Sequence, residues 1–336
     1  MVRHIRGLDY LRIIAVFAVV WIHGSDTNAL AKQGGSLLTG FAVPSFLMMS
    51  VYLTLSSLQR TPERGFLAFM RRRLVRLGPA YLLWTGVYLL FRLAKHALVL
   101  HQPFAVDWAP TLLCGAAANH LWYVPALIYL TALFFPLFKA AQGRRGPALT
   151  VLCLLLAVGG VAVYQLLASC ATAPLSVPSF LLHYLLRCGG CVPLAVALWL
   201  MTRPDAGRMH PTTGSQVPLL AAGVWAAAVA LMWVPQADTV VAYLLALGAV
   251  LLALSWPRTE GPGPSWLAEV SAVTFGVYLM HGVFVEGLQV AAKLAHVDLG
   301  SLAATLGVIV TAFGLSILVS VLLGRIKACR WMVRVG

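Results

Sequence analysis

Acidic side chains are the scarcest feature of this sequence: Asp and Glu number 10 among 336 residues, against 24 Lys and Arg. Charged residues of both signs make up only 10% of the chain, whereas a soluble globular domain carries about a quarter. That deficit excludes a water-facing surface over most of the molecule, because even a large core needs polar residues to cover it. With 60% of residues hydrophobic, the solvent for most of the surface is lipid. Cysteine is sparse as well. Cys114, Cys153, Cys170, Cys188, Cys191 and Cys329 lie mostly within apolar stretches, where the thiol behaves as a small hydrophobe. Cys188 and Cys191 form a lone C-x-x-C with no second pair and no His-x-x-x-His, so helix packing is favoured over a zinc or redox site. No internal repeat, appended soluble domain or cleavable leader is expected, and residues 1–336 read as one integral membrane domain.

The net charge of +14 does not point to nucleic acid, because the basic residues sit in short clusters between apolar runs. Such clusters suit loops beside anionic lipid. Ten stretches are long and apolar enough to span a bilayer: 8–28, 37–58, 77–98, 119–138, 148–168, 179–201, 217–234, 240–256, 267–287 and 303–323. The gaps between them carry Pro and Gly, as at Pro103, Pro110, Pro174, Pro204 and Gly261–Pro264. Assigning the gaps to alternate sides puts 19 of the 24 Lys and Arg on the side that holds both termini. The expected fold is therefore an all-α polytopic transmembrane helical bundle of about ten spans with both termini cytoplasmic.

Ionisable groups inside spans are costly and mark function by default. In the first span, Arg12 and His23 are eleven residues apart. On a helix this puts them within about 20° of one face and roughly 16 Å apart along the axis. Arg12 alone would pass for a snorkelling anchor; a cation and an imidazole on one face favour function. In the run Arg71-Arg72-Arg73-Leu74-Val75-Arg76, the spacing of Arg73 and Arg76 makes them neighbours if the stretch is helical. Two adjacent guanidiniums suit bidentate phosphate binding, and Pro79 fits the first turn of the third span. The ninth span holds Ser271, Thr274, Tyr278 and His281. His281 is expected at a depth matching His23, with Tyr278 one turn earlier on the same face. Arg187, inside the sixth span, needs an acidic partner, for which Glu286 or Asp26 is available. His120-Leu121-Trp122-Tyr123 reads as part of an aromatic belt.

These residues resemble the signatures of acyltransferase family three, the integral membrane acyltransferases. Leu8-Asp9-x-Leu11-Arg12 with His23, Pro44-Ser45-Phe46 with Ser50, and Arg73-x-x-Arg76 with Pro79 and Tyr81 are similar to its first blocks. His120-Leu121-Trp122-Tyr123 and Thr274-Phe275-Gly276-x-Tyr278-x-x-His281 are similar to the later ones, and the resemblance runs from about 8 to 323. The single-domain form resembles the short enterobacterial-common-antigen type of O-acetyltransferase. Two departures stand out: Val51 follows Ser50 where the family has Gly, and Gly276 stands where a Ser is usual.

The resemblance implies a multi-pass protein of the bacterial inner membrane. It implies a cytoplasmic acyl-CoA donor, by default acetyl-CoA, and an acceptor hydroxyl on a cell-surface glycan or glycolipid. Neither a metal nor nucleic acid is expected. By analogy His23 is catalytic, and Arg12, Arg73 and Arg76 meet the CoA phosphates. His23 then acts as general base or as a transient acyl carrier, and His281 with Tyr278 orients the acceptor or stabilises the oxyanion. The competing class is a multi-span transporter or lipid-linked-glycan flippase, which shares the spans and the intramembrane polar residues. Such transporters often carry paired, interrupted helices in two halves, and no such duplication is present here.

Overall fold

A computed structural model describes residues 5–60, 65–143, 147–168, 177–202, 216–234, 237–256 and 264–334. Those residues form helices and connecting turns, with no strand among them. The first helices are α1 (Arg6–Gly24), α2 (Ala29–Thr39), α3 (Ala42–Arg60), α4 (Phe66–Lys95) and α5 (Trp108–Cys114). They are followed by α6 (Tyr123–Leu133), α7 (Phe135–Gly143), α8 (Pro147–Ala168), α9 (Val177–Phe180), α10 (Leu186–Gly189) and α11 (Cys191–Thr202). The last are α12 (Gln216–Leu231), α13 (Asp238–Ser255), α14 (Ser265–Leu294) and α15 (Leu302–Arg325).

All ten expected stretches fall on helices. Among the described residues, eight helical segments are long and apolar enough to cross a membrane. The pair α6 and α7, bent by 51°, is long and apolar enough only when taken together, as a broken span or a re-entrant loop. The bend has a local cause: Pro136 has no N–H to donate to the previous turn, and its ring crowds that turn's carbonyl. The tenth stretch, α12, is a shorter apolar helix.

Two span starts differ most from expectation. The second span does not begin at 37: α2 is a separate helix, capped by the Asn28 side chain accepting from the Ala31 N–H at 2.9 Å. The third begins at Phe66 rather than 77. Long arginine stems reach from a helix end towards polar surroundings, so the helix continues beyond its most apolar window. Arg73 and Arg76 thus lie on a continuous helix, and Pro79 sits in the interior of α4 instead of its first turn.

α1 is the hub of the bundle, packed on α3, α13, α14 and α15. Its glycines permit that crowding. A Cβ on Gly7 would lie 2.0 Å from the Ala253 carbonyl of α13, and one on Gly24 would lie 2.6 Å from Ile309 of α15. Small residues that let backbones approach are how helices associate in lipid, where apolar burial supplies little drive. In contrast α8 presents Leu152, Leu155, Leu156 and Val158 outward, the surface a lipid solvent tolerates.

Among the described residues, basic helix ends meet across helices: Arg12 of α1 donates to Ser271 of α14 at 3.4 Å, Arg325 of α15 to Glu269 of α14 at 2.9 Å, and Arg73 of α4 to Ser50 of α3 at 2.9 Å. Arg144, Arg145, Arg203, Arg208 and Arg258 lie outside the described residues. The end of the bundle that holds these contacts is called the basic face below, and its opposite the far face.

Candidate active site

Two cavities lie in series along α1. The first, about 290 Å³, opens at the basic face and is lined by Arg12, Arg72, Arg73 and Arg76 together with Phe46, Ser50 and Thr54. The second, about 210 Å³, is lined by His23, His120, Arg187 and Thr239 among apolar neighbours. Tyr123 and Tyr278 line both, so these two phenols stand where the cavities meet. Their rings pack edge to face at 5.6 Å.

The guanidiniums are held mainly by hydroxyls. Arg73 donates from one terminal nitrogen to Thr54 Oγ1 at 3.1 Å and from the other to Ser50 Oγ at 2.9 Å, both on α3. Its buried Nε has no hydrogen-bond partner among the described residues. A hydroxyl orients a guanidinium without cancelling its charge, so Arg73 keeps its attraction for an anion. Arg12 is steadied differently. It donates to Asp9 Oδ1 at 3.5 Å and to Ser271 Oγ at 3.4 Å, and Ser271 itself donates to Asp9 at 2.6 Å. Asp9 is buried at this face, and it ties α1 to α14 through Ser271. Arg12, Arg72, Arg73 and Arg76 line the first cavity and, among the described residues, no carboxylate does, so it is built for a polyanion.

At the other end stand three imidazoles. Ring centroids are 5.2 Å apart for His23 and His281, 5.7 Å for His23 and His120, and 4.4 Å for His120 and His281. The matched depth of His23 and His281 is therefore real contact, yet the two differ in access: His23 lines the cavity while His281 is fully buried behind it. The hydrogen bonds assign the tautomers, because a carbonyl only accepts. His281 Nδ1 donates to the Tyr278 carbonyl at 2.7 Å, which leaves its Nε2 as the lone-pair nitrogen, without a partner among the described residues. His120 Nε2 donates to the Leu279 carbonyl at 3.3 Å, leaving Nδ1 as its lone-pair nitrogen. Tyr88 donates to the same carbonyl at 2.9 Å, and the Tyr278 hydroxyl donates to the His120 carbonyl. The backbone of α14 can be approached this closely because residue 282 is Gly: a Cβ there would stand 2.8 Å from the Tyr88 hydroxyl and 2.9 Å from His120 Cε1.

All six expected site residues thus fall along one axis, with Arg12, Arg73 and Arg76 in the first cavity, Tyr278 between, and His23 and His281 at the far end. His120 was missed by the aromatic-belt reading; it is a buried member of the imidazole cluster. Its signal was a histidine two residues ahead of a Trp-Tyr pair at a span's start, but its contacts with α14 bridge about 160 residues of chain, as in the pairing with Leu279. The acid partners expected for Arg187 are not found: Asp26 pairs with Lys32 at 3.1 Å, and Glu286 is exposed. Cys188 and Cys191 are free and buried, with Cys188 on the second cavity's wall. Among the described residues no group of three or more His, Cys, Asp or Glu is arranged to hold a metal ion.

The unusual Gly276 also has a structural explanation. Beyond α15 the chain forms a 3-10 turn (Lys327–Met332) and folds back under α14, where the Gly276 N–H donates to the Val333 carbonyl at 3.0 Å. A Cβ at 276 would stand 2.5 Å from the Val333 side chain, so the usual Ser does not fit here.

Comparison with known proteins gives four findings. The sequence model of acyltransferase family 3, described as an acyltransferase domain, matches residues 5–325. A serine/alanine racemase of Enterococcus gallinarum is 32% identical over 132 residues, covering 37% of this chain and 18% of that protein. An amino-acid racemase of Enterococcus faecalis is 26% identical over 167 residues, covering 48% of this chain and 23% of that protein. The matched part is thus under a quarter of either relative's length. No solved structure matches the chain.

Proposed function

We propose, on the premise that this chain belongs to acyltransferase family 3, that it transfers an acetyl group from cytoplasmic acetyl-CoA to a hydroxyl of a cell-surface glycan or glycolipid. Membership makes it a membrane acyltransferase; the donor, the acyl group, the acceptor and the bacterial inner membrane are our reading. In that reading both termini, and the basic face with them, are cytoplasmic, and residues 1–336 act as one domain.

The observation that supports the reading is the pair of cavities in series, cationic at one end and imidazole-lined at the other. CoA has the matching polarity: a phosphorylated head, a long narrow arm and a thioester at its tip. Its phosphates would sit among Arg12, Arg73 and Arg76, where guanidiniums accept oxyanions in bidentate fashion. The arm would pass between Tyr123 and Tyr278. The distance fits, since Arg12 and His23 are separated by roughly 16 Å of helix axis.

The thioester carbonyl then arrives in the second cavity beside His23. The acceptor oxygen attacks that carbonyl while His23 takes the hydroxyl proton as general base. Collapse of the tetrahedral intermediate breaks the carbon–sulfur bond, and the imidazolium returns the proton to the departing thiolate. The lone-pair nitrogens of His281 and His120, so close to His23, favour the transient imidazolium. His281 thus supports His23 from behind, and Tyr278 holds the passage and the His120 carbonyl.

The reading is tested with purified protein in detergent. Time-dependent release of CoA from acetyl-CoA, together with loss of an acetylated surface glycan by mass when the gene is removed, is the expected result. Protein that binds acetyl-CoA but never releases CoA with any glycan fraction would show the reading to be wrong.

A further inference from the structure

Arg187 belongs to the second cavity yet has no part in the mechanism above. It lies on α10, directly after a five-residue π-turn (Leu181–Leu185) that interrupts the span between α9 and α10. Such turns rotate the residues that follow them relative to a regular helix and recur at functional sites. The backbone at 187 is fixed in place: Tyr243 Oη donates to the Arg187 carbonyl at 2.5 Å. Three residues on, a Cβ at Gly190 would meet the Ala157 carbonyl of α8 at 2.8 Å. The side chain reaches the cavity that His23 also lines.

Arg187 is exposed and lines this cavity, and a guanidinium on a membrane-spanning segment draws an anion to itself. None is supplied among the described residues. Asp9, Asp26 and Glu269 are engaged with Arg12, Lys32 and Arg325 respectively, and no carboxylate lines this cavity. The wall of this cavity thus holds a permanently charged guanidinium, Arg187, with the Thr239 hydroxyl, His23, His120 and apolar and aromatic side chains.

We infer that the second cavity takes an acceptor carrying an anionic group, a phosphate or a carboxylate, close to the hydroxyl that is acylated, with Arg187 as its counter-ion. This rests on the acyltransferase reading for the word acceptor, but the anion site itself stands on the cavity and Arg187. Arg187 is here a specificity-determining residue: it holds the anionic group so that the neighbouring hydroxyl faces His23. The anion has two possible sources, a soluble sugar phosphate or a lipid-phosphate headgroup.

The test uses full-length protein in phosphatidylcholine nanodiscs, with CoA saturating so that the arginines of the first cavity are occupied. Glucose 1-phosphate and methyl glucoside are titrated calorimetrically into wild type, Arg187→Gln and Arg187→Lys. Wild type is expected to bind the phosphate about ten- to a hundredfold tighter than the neutral sugar, the range of a charge-assisted contact. Arg187→Gln abolishes that preference, Arg187→Lys keeps part of it, and CoA affinity is equal in all three. Adding phosphatidylglycerol to the discs displaces glucose 1-phosphate if the anion is a lipid headgroup and leaves its binding intact if it is soluble. Equal affinity of wild type for the two sugars, or an undiminished preference in Arg187→Gln, overturns the inference. Failure of the acyltransferase reading looks different: no CoA release with any acceptor from wild type and variants alike, whatever the binding comparison gives.

Discussion

Replacing Arg73 by Lys keeps the charge of the first cavity and removes only its geometry. In the native site the two terminal nitrogens of Arg73 reach Thr54 and Ser50 at 3.1 and 2.9 Å, and the rest of the planar fork remains available to a phosphate. A lysine ammonium has three donors on one atom and cannot hold two hydroxyls and chelate an oxyanion together. One charge-assisted hydrogen bond is lost, worth about 1.5–3 kcal/mol. Since about 1.4 kcal/mol is tenfold in an equilibrium constant, CoA affinity should fall by roughly ten- to a hundredfold. Arg73→Ala should fall further, since it removes the charge as well. The assay is calorimetric titration of CoA into detergent-solubilised protein, paired with pantetheine, which shares the arm but carries no phosphate. Pantetheine binding should be unchanged in both variants, and thermal unfolding should show each folded. Equal CoA affinity in wild type and both variants, or an equal loss for pantetheine, would refute the assignment of phosphates to this cavity.

Two further substitutions probe the scaffold. Gly282→Ala puts a methyl 2.8 Å from the Tyr88 hydroxyl and 2.9 Å from His120, so it should disturb the imidazole cluster. Turnover should fall at least tenfold with CoA affinity unchanged, as kinetics beside the same titration would reveal, because displacements of about 1 Å near a reacting centre cost far more in rate than in binding. Gly276→Ser, the residue more usual in the family, drives into Val333 at 2.5 Å. It should destabilise by about 1–3 kcal/mol through overpacking, read as a lowered unfolding temperature that Val333→Ala in the same chain partly restores.

Much of this arrangement was legible in the sequence because membranes simplify the code. Apolar length locates spans, and all ten stretches fall on helices; among the described residues, the arginine-rich ends of α1, α4 and α15 make the polar contacts that the lysine and arginine bias leads one to look for. The helical period placed Arg12 and His23 on one line, and two cavities run along it. What remained hidden depended on contacts between helices. Periodicity tells which face of its own helix a residue occupies but not what the next helix brings, so His120 passed for a belt residue. Hydropathy also stops where charges begin, although α4 does not: its arginine-rich first turns are as helical as its apolar core. Pro79 was misplaced for the same reason, since a bundle tolerates a mid-helix Pro once neighbouring groups satisfy the backbone. The Gly276 departure looked like a weakened signature, whereas it makes room for the chain's own C-terminal segment.

The central claim, that the His23 imidazole in the second cavity performs the chemistry, is tested most directly by His23→Ala. The steady-state rate of CoA release from acetyl-CoA and the affinity for CoA are measured on the same purified sample. The expected result is a rate lowered by about 10²–10⁴-fold, the contribution of a general base, with CoA bound as in wild type at the arginines. A variant that releases CoA at the wild-type rate would contradict the assignment outright.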